Sequence, residues 1–269
     1  MQLIRLSFLS VLLLMAYSCH NQDAQKNNQQ TIKKVNTMET NKKTTLKSIL
    51  DEKKENFELK ADDNKKKIYK KGIESVKESG ILDKALKVGD LAPNFKLNNA
   101  LGEPVELYQY LKKGKVILTW YRGGWCPYCN LTLHQLQLEL PDFEANGAHL
   151  IALTPELPDK SLSTSEKHDL KFEVLSDIGN KVGKEYGIVF KLTNDVADIY
   201  NKSFDMNEYN GDESNELPLA ATYIINENGN IVYAFLDADY RNRAEPSKLT
   251  EFLKSNKELE ILMTRKISP

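Results

Sequence analysis

The stretch TWYRGGWCPYCNLTLHQLQ, Thr119–Gln137, sets two cysteines three positions apart between an apolar run and an amphipathic one. The residues before it, KVILTWY, are rich in β-branched and aromatic side chains and read as a buried strand. Those after it, Cys126 to Ala145, read as a helix whose apolar positions are Leu131, Leu133, Leu136, Leu138 and Leu140. Gly123 and Gly124 supply the turn, and Pro127 stands near the first helical position, where a missing N–H costs nothing. The cysteines therefore fall where a strand gives way to a helix.

That location favours sulfur chemistry. A helix N-terminus presents unpaired N–H groups and a partial positive charge, which stabilise a thiolate and lower its pKa. Arg122 adds a cation nearby. Two cysteines at i and i+3 can also close a small disulfide, so that one resolves whatever the other attacks. An inert structural disulfide is the alternative, but closing so short a loop gains little stability. A zinc half-site is another, since Cys-x-x-Cys commonly supplies two of four ligands. Only His134, His149 and His168 could complete it; none shows metal spacing with the pair, and His134 reads as a helix-face residue.

Outward from the pair, short apolar runs alternate with helical ones. AHLIALT is a second strand, followed by a helical PDKSLSTSEKHDL, a short strand FEVLS and a helical DIGNKVGKEYG. Lys191 to Leu217 reads as irregular. ATYIINENGNIVYAFL is a hairpin, because Asn228-Gly229 is a strong turn signal between two β-rich runs. EPSKLTEFLKS closes with a helix that has Pro246 in its first turn. The order βαβαβα and then ββα is that of an α/β domain with a central mixed sheet.

The N-terminus has another character. MQLIRLSFLSVLLLMAYSC carries one early cation, Arg5, an apolar stretch from Leu6 to Tyr17, and small residues before Cys19. That is an export signal over 1–18, too short to span a bilayer, which takes about 20 apolar residues. Ala16, Ser18 and Cys19 resemble a bacterial lipobox, in which the cysteine carries lipid. Residues 19–45 would then be a lipidated, disordered tether rich in Asn, Gln and Lys. The expected location is exported, anchored to a membrane by the lipid on Cys19. With Cys19 so used, Cys126 and Cys129 can pair only with each other within one molecule, in a compartment that permits disulfides.

Residues 46–87 place Leu46, Leu50, Phe57, Ile68, Ile73, Val76 and Ile81 at helical spacing among charges. They read as an arm of one or two amphipathic helices, packed on the main domain or, in a homodimer, on a second subunit. A net charge of -1 over 269 residues argues against nucleic acid as a partner, and the lysines of DDNKKKIYKKG read as a solvated helix face.

GDLAPNFKL, YRGGWCPYCN, GAHLIALTPELPDKSLSTSEKHDLKFEVLSD and DADYRNRAEP together resemble the peroxiredoxin-like branch of the alkyl hydroperoxide reductase/thiol-specific antioxidant (AhpC/TSA) family of the thioredoxin superfamily. The resemblance is to thioredoxin-dependent peroxidases of the bacterioferritin-comigratory type. It implies a thioredoxin-like fold over 88–269 and reduction of hydroperoxides through a cysteine sulfenic acid. It also implies a thioredoxin-like dithiol donor; no organic cofactor is expected, because sulfur does the chemistry. Such peroxidases read Tyr-Pro-x-x-x-Thr-Pro-x-Cys here, which puts Cys129 at the peroxidatic position, Cys126 at the threonine and Arg122 at the proline. Thioredoxins read Trp-Cys-x-x-Cys, which makes Cys126 the nucleophile and Cys129 the resolving thiol. For attack on disulfides Cys126 is favoured, as the sulfur expected to be more exposed.

Peroxiredoxins usually carry an arginine three residues before the aromatic of the strand that includes Tyr223, and thioredoxins a cis-proline. Here the position is Ala220. If peroxide is the substrate, another cation must meet the leaving oxygen, and Arg122, Arg241 and Arg243 are the candidates. Three readings follow: a hydroperoxide reductase, an exported thiol-disulfide oxidoreductase using the same pair, and a tethered scaffold whose disulfide is structural.

Overall fold

A computed structural model describes residues 44–267, with side chains up to 257. The expected signal, lipid-bearing Cys19 and the tether up to residue 43 lie outside the described residues. Among those described, no helix is long and apolar enough to cross a membrane.

The arm forms α1 (Leu46–Lys60), α2 (Asp63–Glu78) and the single turn α3 (Ile81–Lys84). Then come β1 (Lys96–Asn98), β2 (Pro104–Glu106), α4 (Leu107–Leu111), β3 (Lys115–Trp120), α5 (Pro127–Ala145), β4 (Ala148–Thr154), α6 (Pro158–Lys167) and β5 (Glu173–Ser176). A 3₁₀ turn leads into α7 (Lys181–Glu185), β6 (Val189–Lys191), α8 (Asn194–Phe204), α9 (Met206–Asn210) and β7 (Glu216–Pro218). The hairpin β8 (Thr222–Ile225) and β9 (Ile231–Phe235) precedes α10 (Pro246–Ile267).

The central sheet runs β5-β4-β3-β8-β9. β3 pairs parallel with β4 and antiparallel with β8, so the sheet is mixed, as expected. Every residue of β3 is buried, because helices cover both faces. Val116, Leu118 and Trp120 join Ile151, Leu153 and Tyr223 on one face, against Tyr186, Leu107 and the arm's Val76 and Ile81. Ile117, Leu150, Ala152 and Ile224 point the other way, onto Leu133, Leu136, Leu140 and Phe143 of α5 and Leu249 and Leu253 of α10. On α5 the buried stripe is Leu133, Leu136 and Leu140; Leu138 is 60% exposed, since it lies about 200° round the helix from Leu136.

The arm packs on the domain of its own chain. Leu46 and Leu50 enter the α5–α10 layer. Glu245 caps α1, accepting the Leu46 and Lys47 N–H groups at 3.0 and 2.9 Å. The segment expected to be irregular, Lys191 to Leu217, instead holds α8 and α9 and ends in β7. Val196, Ala197 and Tyr200 form the buried stripe of α8. The helix stops at Asp205, a non-glycine residue at φ 53°, whose side chain then caps α9.

Candidate active site

The site is built from the end of β3 outward. Gly123 has φ 149°, and a Cβ there would sit 2.2 Å from Trp125 Nε1. At Gly124 a Cβ would sit 2.1 Å from Thr164 Oγ1, so the turn needs both glycines. Cys126 is the N-cap of α5, with extended backbone, and Pro127 fills the first helical position. Cys129 lies in the first turn. The helix thus starts one residue later than its sequence suggests, and the pair straddles its N-terminus.

Both cysteines are free thiols and both are buried, 1% exposed for Cys126 and 0% for Cys129. Cys126 is the more open of the two, as expected, but only just, because residues of the arm and α8 wall the space above it. A cleft of about 520 Å³ nevertheless reaches Cys126, and Cys129 does not line it.

The surroundings divide the two sulfurs. Cys129 Sγ accepts the Arg122 backbone N–H at 3.4 Å and Arg243 Nη2 at 3.5 Å. Burial pushes the Cys129 pKa up, but the Cys126 thiol, the Arg243 and Arg122 guanidiniums and the Arg122 N–H outweigh it and hold it well below the ordinary thiol range. At Cys126, burial and the hydrogen bond to Cys129 push the pKa well up. The surroundings therefore favour negative charge on Cys129 over Cys126.

Arg122 is itself 1% exposed. Its Nη2 donates to Tyr200 Oη at 2.6 Å, while Nε and Nη1 make no hydrogen bond. Its guanidinium lies 4.0, 5.1 and 5.2 Å from the ring centroids of Tyr240, Trp125 and Tyr200. Burial disfavours this charge, yet Tyr200, the two sulfurs and Tyr240 raise its pKa, so it stays protonated.

Arg241 is engaged elsewhere: Nε and Nη2 clasp Asp239 at 2.9 Å each, and Nη1 lies 3.8 Å from Glu58 of α1. Of the three arginines expected at the sulfur, Arg122 and Arg243 are there, whereas Arg241 is held at the cleft wall. Ala220 is buried and apolar, so the cation comes from the loop 236–245 instead.

Sequence reasoning missed three neighbours. Tyr200 lay in the segment read as irregular, and Tyr240 in a quoted motif without a role. Glu156 is 0% exposed, and its Oε1 accepts the Gly124 N–H at 2.7 Å, two residues before Cys126. Burial pushes its pKa up to about 7, against the Gly124 N–H. The available signal was its position, just past the carboxyl end of β4 beside the cysteine strand, where α/β sheets place ligands. Among the described residues, no three His, Cys, Asp or Glu side chains converge where a metal could sit.

The pattern that defines the AhpC/TSA family matches residues 88–234, more than half of the chain. The chain belongs to the AhpC/TSA family. It is 28% identical over 135 residues to the thiol-disulfide oxidoreductase ResA of Bacillus thuringiensis subsp. konkukian, covering 50% of this chain and 76% of that protein. To the chloroplastic peroxiredoxin Q of Sedum lineare it is 26% identical over 181 residues, 67% of this chain and 82% of the relative. The solved peroxidoxin BcpB of Mycobacterium tuberculosis superposes with a TM-score of 0.51 at 18% identity, over 63% of this chain and 97% of that one. The last likeness is of fold, and it bears out the thioredoxin-like fold class expected from the sequence. This AhpC/TSA member thus belongs with thioredoxin-fold oxidoreductases.

Proposed function

We propose that this family member is a thiol peroxidase in which Cys129 attacks the hydroperoxide and Cys126 resolves it. The observation that supports this most is the pairing of Cys129 Sγ with the Arg122 N–H and Arg243 Nη2, next to a Cys126 held as thiol. The Cys129 thiolate attacks the distal peroxide oxygen, the O–O bond breaks, and the alkoxide departs and takes a proton, leaving Cys129 sulfenic acid. Arg243, and Arg122 through its charge, stabilise the negative charge as it moves from sulfur to the leaving oxygen. The Cys126 sulfur then gives up its proton and attacks Cys129, forming the disulfide and releasing water. A thiol donor returns the pair to the dithiol; the thioredoxin-like dithiol that the resemblance implies is one such donor. With the N-terminal segment read as signal and lipid anchor, the cycle runs outside the cytoplasm, tethered through Cys19.

A second reading, thiol-disulfide exchange with other exported proteins, is favoured by the cleft reaching Cys126 and not Cys129. Stopped-flow oxidation of the reduced full chain by hydrogen peroxide, and separately by a protein disulfide, decides between them. Rapid reaction with peroxide upholds the peroxidase. Sluggish peroxide reaction with rapid exchange replaces it by the oxidoreductase.

A further inference from the structure

The cleft over the cysteines has a floor from the family domain and a roof from the arm. Cys126, Trp125, Tyr128 and Tyr240 line it from below. Phe57 of α1 and Tyr69 of α2 line it from above, stacked at 5.5 Å between centroids. Its volume, about 520 Å³, is that of a small-molecule site, and such sites run from about 300 to 1,000 Å³ with aromatic walls and few polar groups.

The charge of the lining is one-sided. Lys53, Lys60, Lys65, Arg122 and Arg241 face one acidic residue, Asp62. Asp62 is occupied in capping α2, where its carboxylate accepts the Lys65 N–H at 2.8 Å. Lys53, Lys60 and Lys65 take part in no ion pair among the described residues, and the three lie in the arm, before the matched residues 88–234. Unlike Arg241, with its Asp239, they have no ion-pair partner among the described residues.

The sulfur the cleft exposes is also the one a reductant should attack. In the Cys126–Cys129 disulfide, attack at Cys126 expels Cys129, which the Arg122 N–H and Arg243 stabilise as thiolate. The thiol of lower pKa leaves faster. Access and leaving-group chemistry therefore agree on the direction of approach.

We infer that the cleft is the seat of a small thiol carrying negative charge near its sulfur, which attacks Cys126 beneath the arm lysines. This rests on the disulfide cycle proposed above and narrows its donor. The thiolate sulfur bonds to Cys126 while the S–S bond breaks and its electron pair passes to Cys129. A second thiolate attacks the sulfur of the first and expels Cys126, which regains its proton. Two thiols are oxidised to one disulfide, and the protein disulfide is reduced to two thiols.

The test starts from the full chain oxidised with diamide, so that it does not depend on the peroxide step. Its disulfide is reduced with 2-mercaptoethanesulfonate, 2-mercaptoethanol and cysteamine, which are anionic, neutral and cationic, with rates expressed per thiolate. The anion is expected to react at least about tenfold faster than the cation, with the neutral thiol between, and the advantage should shrink as salt is added. Lys53→Gln/Lys60→Gln/Lys65→Gln should erase most of that ratio. Lys67→Gln/Lys77→Gln, two exposed α2 lysines that do not line the cleft, should keep it. Acid quenching with mass mapping should find the thiol joined to Cys126. Equal rates for the three thiols, capture at Cys129, or reduction by thioredoxin with no small thiol competent would overturn the inference while leaving the peroxidase reading intact.

Discussion

The turn Tyr121–Cys129 and the loop Asp237–Glu245 meet at one sulfur, yet they are built in different ways. The first is backbone architecture: a buried strand ends, two glycines let the chain turn, and a helix starts at Pro127. The second is held by short-range polar bonds, Asn242 Nδ2 to Asp237 at 2.8 Å and Arg241 to Asp239 at 2.9 Å. From it come Tyr240, which packs on Arg122, and Arg243, which reaches Cys129 across 114 residues of chain. The comparison teaches that the proposed nucleophile is placed locally, while its charge is set partly by its own turn and partly from a distance, by a loop that begins beyond residue 234, where the family match ends.

The strongest way to break that division is to remove the sulfur. Cys129→Ser should lower the peroxide reaction by on the order of 10³-fold or more, read by stopped-flow fluorescence, because the covalent step is lost. Removing the distant charge should cost less. Arg243→Ala should slow oxidation by about 10²-fold. Arg241→Ala should slow the same step by less than about tenfold, because Arg241 is held on Asp239 and not on sulfur.

Glu156 sharpens the comparison from the turn side. Its raised pKa means that the folded state holds this proton more tightly than the unfolded chain does. Its stabilising contribution is full below pH about 4.5, declines as pH rises, and is gone above about 7, a difference of up to about 3 kcal/mol. Glu156→Gln should flatten the pH dependence of urea midpoints across that window. The smallest effect is expected at the arm, where Glu245→Ala removes the acceptor for two α1 N–H groups. It should cost about 1 kcal/mol and raise hydrogen exchange in Leu46–Leu50 before the central sheet changes.

What was legible follows the same line. β3, β4 and β5 announce themselves as short apolar runs because helices bury both faces of the sheet, and Asn228-Gly229 marks a hairpin through its turn chemistry, with Gly229 at φ 84°. The cysteine pair is readable for the same local reason. α8 was not, since its stripe of Val196, Ala197 and Tyr200 is short, sits among polar residues and stops at a left-handed Asp205. Glu156 was hidden because its partner, the Gly124 N–H, is brought to it by strand pairing; Arg122 was legible as a cation beside the pair, but the rings that surround it are assembled only by the fold. The near-complete burial of Cys126 was hidden for a like reason: the arm that walls its cleft lies some 60 residues away in sequence.

The central claim is that the reactive thiolate sits on Cys129. The most direct measurement exposes reduced Cys126→Ser and Cys129→Ser full chains to stoichiometric hydrogen peroxide, with dimedone present, and maps the adduct by mass spectrometry. A sulfenic acid trapped at Cys129 in the first variant, and little or none at Cys126 in the second, is the expected result. Rapid trapping at Cys126 with an inert Cys129 would contradict it.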